Sequence, residues 1–164
     1  MNKPYRVGRS SISGLGLFAT KPIRKGARII RYFGPLLDEK KGKLPPSRYL
    51  FGIDDQWTID GSGRDNLARY INHACEPNAE VDTRIKRKII VICAIRDIEP
   101  GEEIYIHYGR EYCAQYLNPC KCVKCVKERI ENEERIEKTQ LHFLRFPPKR
   151  PTPLPLRRFE VKLN

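Results

Sequence analysis

Residues 66–78 read NLARYINHACEPN. Within this stretch Asn72, His73, Cys75, Pro77 and Asn78 place carboxamide, imidazole and thiol groups beside a proline. Asn and Pro favour turns over regular elements, so 73–78 reads as a polar, turn-rich segment from which Cys75 can project. Residues 64–71, just before it, suit a helical turn. Downstream, residues 88–95 (KIIVICAI) are an apolar run bounded by charges, the mark of a buried strand. A turn at 99–101 (EPG) leads to another strand at 103–108. Upstream, residues 28–33 (RIIRYF) are β-branched and aromatic between Gly26 and Gly34-Pro35, and read as a strand. Residues 49–53 and 57–59 are further short strands, and 38–47 is a charged loop with two prolines. Residues 1–35 otherwise alternate short apolar pieces with Gly and Pro. Many short strands with few helices predict a mainly β fold, and no internal repeat is present.

The pattern changes after Leu117. Cys120, Cys122 and Cys125 crowd into residues 120–125, three of the chain's 6 cysteines. Structural zinc takes four ligands in a tetrahedron, most often thiolates, and the close spacing lets one loop wrap the ion. The fourth ligand is drawn from Cys75, Cys93, Cys113 and His142. Cys93 lies in the apolar run and reads as a small buried hydrophobe; Cys113 follows Tyr112 and suits burial too. Cys75 sits in the polar turn segment. A ligand at Cys75, with Cys120, Cys122 and Cys125, would make a clip that orders with its metal. Residues 126–143 carry charge at helical spacing, with Ile130, Ile136 and Leu141 as their few apolar positions. The pairs Glu131–Arg135 and Glu134–Lys138 support an exposed helix. Residues 145–158 (RFPPKRPTPLPLRR) are basic and proline-rich, which excludes helix and central strand and leaves an extended, polyproline-like tail.

The 164 residues carry 32 Lys+Arg against 20 Asp+Glu, a net charge of +12. Their length suits one domain with an appendage. No run of about 18 apolar residues marks a membrane span, and residues 1–22 lack the apolar core of a secretory signal. The expectation is an intracellular protein, cytoplasmic or in the nucleus or nucleoid, with no membrane partner. The charge favours acidic partners. Residues 84–88 (RIKRK) and the tail point to DNA, through phosphate contacts. A basic peptide would be repelled unless acidic residues gather at its groove; Asp38, Glu39, Asp54 and Asp55 are candidates.

Segments quoted above, taken with the glycines near the N-terminus, resemble one family in its own order: the SET-domain protein-lysine methyltransferases. Residues 13–19 (SGLGLFA) resemble its glycine motif and 32–34 (YFG) its Tyr-x-Gly motif. Residues 66–78 resemble its Arg-Phe-Ile-Asn-His-Ser-Cys-x-Pro-Asn signature. Residues 101–104 (GEEI) running to Tyr108-Gly109 resemble its last strand, and the cysteine loop its post-SET zinc segment. The resemblance spans residues 5–128. It implies a SET fold of small curved β-sheets with a pseudoknot, an exception to the usual avoidance of threading, plus a C-terminal zinc loop and helix. The implied organisation is a SET domain at 5–117, a post-SET zinc segment at 118–128, a helix at 129–144 and a basic Pro-rich tail at 145–164.

The implied activity is methyl transfer from S-adenosylmethionine to a protein lysine, in a histone or other DNA-associated protein. By resemblance Tyr108 and Tyr32 are catalytic, and Gly14, Leu15, Gly16, Arg69, Asn72, His73 and Tyr108 bind the cofactor. Tyr32 and Ile106 line the lysine channel, and Cys75, Cys120, Cys122 and Cys125 hold Zn. Three positions depart from the pattern. Ala74 replaces a serine. His107 stands where Asp or Asn is common. Ile106 stands where Phe or Tyr tunes the number of methyls, so restriction to one methyl is not expected. The alternative is a catalytically weak SET-like binding module for nucleic acid or basic peptide; Tyr108, Asn72-His73 and the glycine motif favour the enzyme.

Overall fold

The computed structural model describes residues 3–145, with 142–144 described by backbone alone. The expected polyproline-like tail beyond 145 lies outside the described residues, as does the side chain of His142. Strands β1 (Tyr5–Arg9) and β2 (Leu15–Ala19) form an antiparallel hairpin that pairs Tyr5 with Ala19 and Arg9 with Leu15. The Ser10 N–H donates to the Gly14 carbonyl at 3.0 Å across the connecting turn, where Gly14 takes φ +50°. A residue without Cβ enters that left-handed region without strain.

Next come β3 (Arg28–Tyr32), β4 (Leu36–Asp38), β5 (Leu50–Gly52), β6 (Trp57–Asp60), β7 (Asn72–His73), β8 (Ala79–Arg84), β9 (Ile89–Ala94) and β10 (Glu103–Ile106). Helices α1 (Arg110–Tyr116) and α2 (Val123–Arg145) close the described chain, and single 3-10 turns occupy Leu67–Tyr70 and Ile85–Arg87. The strands form three small sheets, in the orders β1-β2-β10-β7, β3-β9-β8 and β4-β6-β5. The apolar run lands in β9, paired on both sides, where Ile90 and Ile92 are fully buried. A strand with neighbours on both edges and a covered face tolerates little polarity. Leu17, Ile71, Ile98 and Ile104 complete the most buried part of the core, to which Tyr32 and Ile106 also belong.

β10 lies between β2, to which it is antiparallel, and β7, to which it is parallel. The last strand of the fold thereby joins the N-terminal hairpin to the polar signature segment. Asn78, the final residue of that segment, is fully buried. Its Nδ2 donates to the Glu103 carbonyl at 2.8 Å and to Glu102 Oε1 at 3.1 Å, and its Oδ1 accepts the Tyr105 N–H at 2.8 Å. One amide thus satisfies main-chain groups on either side of Ile104.

The strands expected at 28–33, 49–53, 88–95 and 103–108 all form, somewhat shorter than expected, that expected at 57–59 runs on to Asp60, and the helical turn at 64–71 is a 3-10 turn. The C-terminal helix starts at Val123, earlier than the charge pattern indicates, so Cys125 lies on it. Its Glu134–Lys138 pair forms at 3.9 Å, and Arg135 donates to Asn132. The strands belong to one compact unit ending at Lys127, and the residues from Glu128 onward form a second. Among the described residues no helix is long and apolar enough to cross a membrane.

Replacing Asn78 by Ala strands a buried Tyr105 N–H and the Glu103 carbonyl. The expected loss is about 2–3 kcal/mol in urea unfolding. An unchanged midpoint would remove Asn78 as the clip on β10.

Candidate active site

A cavity of about 810 Å³ opens among the β1–β2 turn, β5, the Leu67–Tyr70 turn, the β7–β10 pair and α1. Of the residues expected to act on cofactor or substrate, Gly14, Leu15, Tyr32, Arg69, Asn72, His73, Ile106 and Tyr108 all line it. Gly16 is not among the lining residues. A Cβ there would sit 2.1 Å from Glu103 Oε1, so the bare backbone of Gly16 makes room for that carboxylate.

Glu103 is only 6% exposed and is held by three donors. Asn72 Nδ2 reaches its Oε1 at 2.8 Å, while Ser10 Oγ and Tyr105 Oη reach Oε2 at 2.9 and 3.1 Å. The same Asn72 amide donates to the Leu15 carbonyl at 3.0 Å. A buried carboxylate is tolerable only when it is hydrogen-bonded in this way. The network locks the glycine turn to β7 and β10 and fixes the Asn72 side chain at the cavity edge.

Both candidate tyrosines give their protons to main-chain carbonyls. Tyr108 Oη donates to Ile71 O at 2.5 Å, and Tyr32 Oη donates to Tyr49 O at 2.7 Å. With its single proton committed, each hydroxyl has only lone pairs left to offer a ligand. Burial pushes both phenols above the ordinary tyrosine range, so they stay protonated at neutral pH. Ile106, 4% exposed, adds an apolar wall. Arg69 lays its guanidinium 3.9 Å from the centre of the Tyr49 ring and donates to the Ser62 carbonyl. Its buried Nε finds no hydrogen-bond partner among the described residues.

Beside the cavity, the thiols of Cys75, Cys120, Cys122 and Cys125 lie within 4.8 Å of one another. Cys75 Sγ is 3.4 Å from Cys125 Sγ and 3.9 Å from Cys120 Sγ. A tetrahedral zinc with Zn–S bonds of about 2.3 Å spaces its sulfurs about 3.8 Å apart, so donor set and spacing both suit zinc. Cys93 and Cys113 lie outside this group and are half-buried. Burial, with His107 as a lesser cause, holds His73 below the ordinary histidine range.

The SET domain family model matches residues 14–109, the span that holds the glycine turn, the polar signature and β10. The chain belongs to the SET-domain family. A relative from Drosophila virilis named histone-lysine N-methyltransferase trithorax is 40% identical over 126 residues, covering 71% of this chain and 3% of that protein. A Neurospora crassa relative named histone-lysine N-methyltransferase, H3 lysine-4 specific, is 37% identical over 133 residues, covering 73% of this chain and 10% of that protein. One from Dictyostelium discoideum named histone-lysine N-methyltransferase set1 is 40% identical over 117 residues, 65% of this chain and 8% of that protein. This SET chain therefore spans a tenth or less of the length of these relatives.

Sequence reasoning missed part of the SET cavity wall. Arg48, Tyr49, Tyr112 and Tyr116 line it as well. Tyr112 and Tyr116 are one helical turn apart on α1, with ring centres 4.8 Å apart, and Tyr112 meets Tyr108 edge-on at 5.4 Å. The four-residue spacing of three tyrosines at 108, 112 and 116 was the available signal. The acidic residues expected at the substrate groove serve other ends. Asp38 accepts from Gln56, Glu39 accepts from Thr58, and Asp54 accepts the Gln56 and Trp57 N–H groups, all around the β4–β6 pair. None of these, nor Asp55, lines the cavity.

A Gly16→Ala substitution drives a methyl group into Glu103 and should cost about 1–3 kcal/mol in thermal or urea unfolding. Adding Glu103→Ala to Gly16→Ala should recover part of that loss, a non-additive cycle. Strict additivity would show that Gly16 and Glu103 do not compete for the same space.

Proposed function

We propose that this chain is an S-adenosylmethionine-dependent protein-lysine N-methyltransferase acting on a histone or another DNA-associated protein. The observation that carries the reading is the meeting in one cavity of Gly14, Leu15, Arg69, Asn72 and His73 with Tyr32, Ile106 and Tyr108. The names of the relatives support a histone substrate, and with it an intracellular site of action.

S-adenosylmethionine, when bound, supplies an electrophilic methyl group on a sulfonium. On this reading Gly14 and Leu15 offer main chain to it. A Cβ on Gly14 would meet nothing within 4 Å, which leaves open space over that turn for a ligand. Asn72 and His73 border its other side, and Arg69 brings a positive charge suited to a carboxylate.

The lysine nitrogen must be neutral to act as nucleophile, whereas its ordinary pKa is about 10.4. The buried walls given by Ile106 and Tyr32 strip water from the ammonium and lower that pKa. Tyr32 and Tyr108 present only acceptor lone pairs, which suit an electron-poor methyl and an amine N–H. Both remain protonated, so they orient the reacting groups and do not remove the proton. Alignment of this kind supplies a large share of the rate in a displacement reaction. Gly16 enters the same reading as a residue that seats Glu103, and through it Asn72, with no direct contact to the cofactor.

Cys75, Cys120, Cys122 and Cys125 hold one zinc on this reading, which pins the loop around residue 120 against the cavity. The basic segment 84–88 supports contact with DNA. Arg84 pairs with Asp82 at 2.9 Å and Lys88 Nζ sits 3.2 Å from the centre of the Trp57 ring, while Lys86 and Arg87 stand exposed at the β8–β9 turn.

Incubation with labelled S-adenosylmethionine and a histone panel should label a histone lysine. Tyr108→Phe should lower kcat by about a hundredfold while leaving the folded state intact. Mass spectrometry of the product should show more than one methyl per lysine, because Ile106 brings no hydroxyl to the channel. A failure to bind S-adenosylmethionine in calorimetry would defeat the enzyme reading, and an exclusively monomethylated product would defeat the reading of Ile106.

A further inference from the structure

Two side-chain clusters meet at His73. The four cysteines lie on one side. On the other, His107 and Cys113 bring ligand-type atoms within 4.8 Å of each other and of His73. By composition this second group resembles another metal site. The hydrogen bonding of His73 argues for a different use.

β10 ends at Ile106, which pairs with His73, so the ladder to β7 stops two residues before Tyr108. The Tyr108 N–H donates instead to His73 Nδ1 at 3.3 Å. The Ile106 carbonyl also lies within hydrogen-bonding reach of the ring, but an Nδ1 lone pair that faces the Tyr108 N–H favours a ring proton on Nε2. His73 Nε2 lies 3.4 Å from Cys75 Sγ. Cys113 Sγ is farther, at 3.7 Å from both ring nitrogens, and His107 Nδ1 accepts the Gly109 N–H at 3.0 Å.

We propose that His73 is a positioning residue that ties the cysteine cluster to Tyr108. Its Nε2–H donates to the zinc-bound thiolate of Cys75, and its Nδ1 holds the main chain of Tyr108. The inference rests on the zinc and methyl-transfer reading above. A hydrogen bond to a ligating sulfur orients the ligand and strengthens the site. The same bond keeps the proton on Nε2, so Nδ1 stays an acceptor. The link runs from Cys75 through His73 to the Tyr108 main chain, and onward through Tyr108 Oη to the Ile71 carbonyl at 2.5 Å. Loss of zinc removes the charged acceptor that selects this tautomer, and so loosens Tyr108 from a distance.

The direct test is ¹⁵N NMR of the full chain with labelled histidine. The sequence has 3 histidines, so single substitutions assign the signals. In the zinc-loaded protein His73 should be a single tautomer protonated at Nε2, and chelation should abolish that pattern. Zinc release to a chromophoric chelator should be about tenfold faster in His73→Phe, and His73→Gln, which keeps an amide donor, should recover part of the difference. Neither readout uses methyl transfer, so an inactive enzyme leaves the inference standing. One zinc per chain with His73 protonated at Nδ1 overturns it alone. A stoichiometry of two zincs, reduced to one by His107→Ala or Cys113→Ala, overturns it in favour of a second metal site. A chain that takes up no zinc overturns both this inference and the zinc reading.

Discussion

The site hangs on a parallel pairing only two residues long. Tyr105 opposite Asn72 and Ile106 opposite His73 set the polar signature beside the end of the last strand. The same β10 pairs with β2 through Ile104 and Leu17, which brings the glycine turn to the other side. Three parts of the chain, near residues 15, 72 and 105, thus become one wall of the cavity. A pair so short does not hold itself. Asn78 clips β10 from one flank, and the Glu103 carboxylate gathers Ser10, Asn72 and Tyr105 from the other. Both groups are buried, where a hydrogen bond is stronger and an unmade one more costly than in water. The polar network therefore adds to the register set by the apolar pattern, because a shifted pairing would leave these buried groups without partners.

The cavity chemistry follows from what this scaffold leaves over. Each phenol at the centre has its proton bound to a carbonyl, and each lies in surroundings that keep it protonated. Acceptor lone pairs aimed into the cavity favour electron-poor groups. The aromatic rings on α1 continue that lining outward, to Tyr116 at 62% exposure. The excess of positive charge has no counterweight at the cavity, because the acidic residues that were candidates for one are hydrogen-bonded around the β4–β6 pair. The chain carries a net charge of +12, and Lys86 and Arg87 are among its exposed basic side chains.

Much of this was open to reading in one dimension. The run KIIVICAI announced a buried strand because continuous apolarity has few other uses in a short segment. RIIRYF, WTI and the charged helix were equally plain. The spacing of the cysteine loop announced a thiol cluster of the kind that holds zinc, and Cys75 was separable from Cys93 and Cys113 by its polar setting. β8 was not foreseen: AEVDTR holds one large apolar residue, and it is a strand because β9 needs a partner. α1 was not foreseen either, since three of its seven residues are tyrosine or cysteine, which propensity does not assign to helix. Its start is fixed by Gly109 at φ +93°, a backbone feature with no unique mark in sequence.

The sequence by itself determined the family, the mainly β class, the clustered cysteines and part of the cavity lining, because each depends on residue type at short spacing. The tertiary structure decided how those residues are used. Gly16, expected at the cofactor, has a bare backbone that makes room for the Glu103 carboxylate. His73 appeared as one more cavity residue and proved to stand between Cys75 and Tyr108, positions 75 and 108 that only β-pairing brings together. Hydrogen-bond direction and close approach depend on ångström distances between remote segments, and those arise only once β10 has settled between β2 and β7.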